Sequence, residues 1–136
     1  MDREPVFFNA SGSTVDPGVA GTIFPNRPVS SYTVFTVPPA KLFVLKYVSA
    51  AVTHGNQAYP AGNSNDYGAV GYTSGNNQSF HFIPFSRSEP GGMLVASLAL
   101  NVYIPAGAQV IVKVPLIPGQ PGGASINVNG YYVSNQ

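Results

Sequence analysis

The run from Met93 to Val114, MLVASLALNVYIPAGAQVIVKV, constrains the fold more than any other stretch, with Lys113 as its only charged side chain. Leu94, Ala96, Leu98, Leu100, Val102 and Ile104 fall on one side of an extended chain, because successive side chains of a strand point to opposite faces. Met93, Val95, Ser97, Ala99, Asn101 and Tyr103 make up the other, mixed side. A period of two with one wholly apolar face predicts a strand with that face in a core. Pro105-Ala106-Gly107 interrupts the pattern, and Val110, Val112 and Val114 resume it. The two halves therefore form a hairpin, or a corner where the chain passes from one sheet to another.

The rest of the chain reads the same way. Fifteen glycines and thirteen prolines punctuate it, and no segment sustains a helical period. Short strands are expected at Pro5–Asn9 and Val19–Phe24, followed by a strand at Tyr32–Val37. A long strand is expected over Leu42–His54, with Leu42, Val44, Val48, Ala50 and Val52 on one face and Phe43, Leu45, Tyr47 and Ala51 on the other. Both faces are apolar, as in a central strand. Tyr67–Thr73 and Ser79–Phe85 read as further strands. Ala124–Val133 places Ile126, Val128, Gly130 and Tyr132 inward and Ser125, Asn127 and Asn129 outward. The turns Val37–Lys41 and Ile104–Gln109 echo each other, each a proline and a small residue before an apolar strand. About eight strands and no helix predict an all-β fold, an antiparallel β-sandwich of jelly-roll type. Residues 1–31 form an N-terminal arm and loop with short strands, and residues 32–136 the sandwich core, in one domain overall.

Composition narrows the function classes. The chain has 136 residues, enough for a core without covalent staples, and no cysteine, so disulfides and thiolate metal sites are excluded. A net charge of +1 provides no electrostatic footprint for nucleic acid. No apolar stretch is long enough for membrane insertion by a helix, and Met1–Ala10 lacks the features of a secretory signal. Charged residues are only 8% of the chain, against about 25% in an ordinary domain. An uncharged polar skin of this kind suits exported, sugar-binding or self-assembling proteins, which favours an extracellular or cell-surface location.

The stretch Phe35–Ala50 (FTVPPAKLFVLKYVSA), the Ile104–Gly107 turn and the closing strand Ile126–Val133 resemble small bacterial all-β proteins of undefined role. The closing strand is also similar to that of complement-head and tumour-necrosis-factor-like jelly rolls. Those domains are trimers that bind protein or sugar ligands, so this likeness implies a jelly roll and an oligomer, and carries no functional residues over.

No catalytic motif emerges, and the chain reads as non-enzymatic, with neither metal nor cofactor expected. A cupin-like metal site needs a His-x-His pair, whereas His81 is flanked by Phe80 and Phe82; His54, His81 and Asp66 could meet only through the fold. That metal-dependent enzyme is the weakest alternative. The leading expectation is a self-associating structural subunit, a homo-oligomer of three or more copies. Val6, Phe7 and Phe8 would pack on the chain's own sheet or on a neighbour's edge. The second is a lectin-like site in the polar interval 55–79. There Tyr59, Tyr67 and Tyr72 would stack on sugar faces while Asn63, Asn65, Asp66 and Asn76 bond hydroxyls.

Overall fold

The computed structural model describes residues 3–13, 20–23, 27–53, 66–88, 93–115 and 123–134. Their secondary structure is nine strands: β1 (Glu4–Ser13), β2 (Ala20–Ile23), β3 (Arg27–Thr36), β4 (Lys41–Thr53), β5 (Asp66–Ser74), β6 (Asn77–Ser88), β7 (Met93–Ile104), β8 (Gln109–Pro115) and β9 (Gly123–Ser134). They join in one antiparallel sheet of order β1-β9-β4-β7-β6-β5-β8-β3-β2. The sheet curls until it is nearly closed. Phe8 of β1 stacks on Phe35 of β3 at 4.0 Å, which brings the two ends together. The chain is thus all-β, with a strand at each of the nine stretches that read as extended. β1 is also longer than Pro5–Asn9 and pairs with β9 over its whole length, so the N-terminal arm is part of the sheet.

Curling brings two runs of strands face to face, β1-β9-β4-β7 (sheet A) and β6-β5-β8-β3-β2 (sheet B). Among the described residues, strand pairing joins them where Ser86–Ser88 of β6 meets Met93–Val95 of β7. The core between them draws Phe43, Leu45, Val48, Val52, Leu94, Ile104, Ile126 and Val128 from sheet A, and Val70, Ile83, Phe85, Val110, Val112 and Val114 from sheet B. The even residues of β7 face it as their alternation predicts. Pro105–Ala108 is a corner, because β7 pairs with β4 whereas β8 pairs with β3 and β5.

β4 departs from its predicted faces. Its register shifts between Leu45 and Tyr47 against both neighbours: Lys46 is an extra, bulged residue against β9, whereas against β7 it stands opposite two residues, Leu100 and Asn101. The bulge reverses the alternation. Phe43 and Leu45 share the inner face with Val48, Ala50 and Val52, while Tyr47 and Val44, the latter buried between Tyr131 and Tyr103, lie on the outer face. Lys46 is exposed there, and its ammonium donates to the Asn101 side-chain oxygen at 3.1 Å.

The two echoing turns bind one another. Lys41 N–H donates to the Pro38 carbonyl (3.3 Å) and Ala108 N–H to that of Pro105 (3.2 Å), closing two four-residue turns. Each has its third residue at positive φ, Ala40 at 64° and Gly107 at 80°, the pattern of a type II turn. Gly107 N–H then donates to the Val37 carbonyl and Val37 N–H to the Ala108 carbonyl, both at 2.9 Å. This pair of backbone bonds ties the β3–β4 corner to the β7–β8 corner at one end of the core.

Candidate functional site

The outer face of sheet A is read directly from its register. One row runs Phe7–Asn129–Tyr47–Ala99 across β1, β9, β4 and β7, and the next runs Pro5–Tyr131–Val44–Tyr103. Phe7 is 61% exposed, Tyr103 58% and Tyr47 38%, large apolar surface to leave in water. Of the described charged side chains, Arg3 and Lys46 lie on this face. Arg3 holds its guanidinium 4.7 Å from the Tyr131 ring centre. At the rim, Lys41 of β4 pairs with Glu4 of β1. Farther along, the rows become small and polar: Asn9–Asn127–Ser49–Ser97, then Ser125–Ala51–Val95–Ser86.

Two shallow concavities interrupt this face. One, of about 390 Å³, lies among Pro5, Phe7, Lys46 and Asn129. The other, of about 460 Å³, is lined by Ser49, Ala51, Ser86, Val95, Ser97 and Asn127, whose hydroxyls and amides can hydrogen-bond but do not titrate near neutral pH.

A second aromatic patch lies outside sheet B. Tyr67 is 40% exposed and Phe82 52%, with Pro84 opposite Tyr67 in the register and Ala69 opposite Phe82. Phe80 lies over Gly71, where a methyl group would meet its ring at 2.8 Å. The Lys113 ammonium stands 4.5 Å from the centre of the same ring. Ala69 and Gly71 are buried, so small residues on β5 form the floor under rings carried by β6.

The residues predicted to bind a sugar do not form one described cluster. Tyr59, Asn63 and Asn65 lie outside the described residues, as does the side chain of Asp66, whose backbone opens β5. Tyr67 points outward at the start of β5. Tyr72 points inward and packs against the core. Asn76 sits in the exposed β5–β6 turn beside Gly75, whose φ of 58° suits a two-residue hairpin connection. At a rise of about 3.4 Å per residue, Tyr67 and Asn76 are at opposite ends of the strand, roughly 25 Å apart.

The self-association trio divides as well. Phe8 stacks on Phe35 and Val6 packs against the core, which leaves Phe7 outside. Tyr47 was hidden from sequence reasoning by the bulge; a lysine inside an otherwise apolar strand was the available signal. Phe80 and Phe82 were hidden because both faces of β6 are apolar.

His81 is exposed on β6, and His54 lies outside the described residues. Among the described residues no three His, Cys, Asp or Glu side chains lie together. No protein-family model matches the chain, and no curated protein matches it either.

Proposed function

We propose that this chain is a non-catalytic jelly-roll module that associates with copies of itself as a structural subunit at or outside the cell surface. The jelly-roll reading is supported by strand order. β1-β9-β4-β7 stands opposite β3-β8-β5-β6, and the chain crosses between these halves at every connection except the β2–β3 and β5–β6 hairpins. That is the double Greek-key pattern, with β2 as an added edge strand. The observation that carries self-association is the aromatic outer face of sheet A. Phe7, Tyr47 and Tyr103 stand there in a chain with so few charges that little opposes contact between copies. Sedimentation of the wild type against a Phe7→Ser/Tyr103→Ser double variant tests it. The variant should dissociate at concentrations where the wild type stays associated; equal behaviour of the two contradicts the role of this face.

A second reading, glycan binding, is favoured by the Tyr67–Phe80–Phe82 patch. Tyr67 follows Asn65 by two residues in the sequence, and the patch offers flat rings on a floor of small residues to the C–H faces of a sugar. Glycan-array binding that falls with Tyr67→Ala and Phe82→Ala supports it, and a wild type that binds no glycan sinks it.

A further inference from the structure

The outer edge of β7 is open. β6 pairs with it only over Met93–Val95, so among the described residues Ala96–Ile104 bonds to β4 on one side and to no strand on the other. This is nine residues, roughly 30 Å, of strand edge whose outward N–H and C=O groups need partners. Sheets guard such edges with charges, prolines or shortness. β1 has Pro5 and the Glu4–Lys41 pair, β6 has Pro84, and β2 is only four residues long. Ala96–Ile104 (ASLALNVYI) has none of these devices, and its one irregularity is on the β4 side, where Leu100 and Asn101 stand opposite the single Lys46. Burial falls short at the same place. Leu94 and Ile104 at its two ends are fully buried, whereas Leu98, Leu100 and Val102 between them pack against the core but stay partly open.

We propose that this edge is a two-fold joint, at which a second copy adds its own β7 antiparallel about Leu100; the proposal rests on the self-association reading and names its contact. The sequence is self-complementary in that register. On the inner face Leu100 meets Leu100 of the second copy, Leu98 meets Val102, and Ala96 meets Ile104. On the outer face Ala99 meets Asn101 and Ser97 meets Tyr103, a smaller side chain opposite a larger one each time. β7 brings no charged side chain of its own to the contact, the nearby Lys46 ammonium being held by Asn101, and a two-fold axis lets one surface serve both copies. The two four-stranded sheets A become continuous, and their aromatic outer faces merge.

The chain has no cysteine, so single thiols report this geometry cleanly. Directly opposed residues of an antiparallel pair have Cα atoms about 4.5–5.5 Å apart, within the range a disulfide spans. Under mild oxidation Leu100→Cys should give covalent dimer, while Ala96→Cys, roughly 27 Å from its own copy across the axis, should not. Ala99→Cys mixed with Asn101→Cys, both on the exposed face, should cross-link in the same way without disturbing the core. Ser97→Lys/Ala99→Lys, which gathers four ammonium groups about the axis and keeps the Lys46–Asn101 hydrogen bond, should sediment as a monomer with wild-type thermal stability. Leu100→Cys and the mixed pair cross-linking no faster than Ala96→Cys, or the double-lysine variant keeping its associated mass, overturns the joint. A wild-type trimer also overturns it, because such a ring has no two-fold between neighbours, yet leaves self-association standing. A wild type monomeric at every concentration removes both.

Discussion

Gly130 is where the fold is least tolerant of a single added carbon. It lies on β9 opposite Leu45, beside the β4 bulge. A Cβ there would stand 2.0 Å from the Val44 carbonyl oxygen and 2.9 Å from the tip of the Phe43 ring. Ordinary contact begins near 3.4 Å, and the nearest obstacle is backbone, which cannot rotate aside. Gly130→Ala must therefore push β9 from β4 by more than an ångström. Two flanking ladder hydrogen bonds, about 0.5–1.5 kcal/mol each, are weakened or lost. Overpacking against Phe43, the centre of the aromatic cluster with Phe35 and Tyr132, adds about 1–3 kcal/mol. The reduced freedom of the unfolded chain returns about 0.4–1 kcal/mol. A net loss of about 2–5 kcal/mol is expected, or roughly 6–20 °C in Tm for a chain of this size. Urea and thermal unfolding followed by circular dichroism measure it. Gly75→Ala is the control, with φ at 58° but nothing within 4 Å, and should lose only about 1 kcal/mol. Gly130→Ala within 1 kcal/mol of wild type would refute the close approach of β9 to the bulged strand.

Ala40→Gly should stabilise the chain by about 0.5–1 kcal/mol, since Ala40 holds a φ of 64° that costs an L-residue about 1–2 kcal/mol; chemical denaturation reads the gain. The Tyr132 phenol is raised above its usual value of 10.0, first by burial and then by the Glu4 carboxylate. Its contribution to stability is therefore fully present below pH 10.0 and is lost as pH rises through the higher folded value. Unfolding midpoints from pH 9 to 12 should fall less steeply in Tyr132→Phe than in wild type, and equal slopes contradict this. Leu94→Ala, wholly buried, should cost about 2–5 kcal/mol at any protein concentration. Leu98→Ala should cost less in dilute solution and approach that figure as concentration rises, which unfolding at two concentrations distinguishes.

Much of this fold was legible because alternation is a direct consequence of strand geometry. The inner faces of β7 and β9 follow from it, since in both strands one set of alternate residues is apolar and the other is mixed. Alternation is uninformative where both faces are apolar, because it then separates two sets without saying which is inside. Phe82 was lost to that ambiguity on β6, and Tyr47 to the bulge. A bulge inserts one residue and inverts every side chain beyond it, and only the placing of Lys46 hints at it. The paired turns at Val37–Lys41 and Ile104–Gln109 were recognised as the same turn used twice. That they bond to each other depends on chain crossings that no local pattern encodes. The candidate surfaces were harder still. The sugar-binding residues were grouped by closeness in sequence, and a strand of nine residues separates such a group by its own length. The open edge of β7 depends on where β6 turns away, which is a property of the assembled sheet.

The central claim is that sheet A, with its aromatic face and open β7 edge, exists to meet other copies. Sedimentation velocity on the intact chain, from sub-micromolar to hundreds of micromolar, tests it most directly. The account predicts a mass that rises with concentration from 14.2 kDa to an even multiple of it. A single species of 14.2 kDa throughout would contradict it.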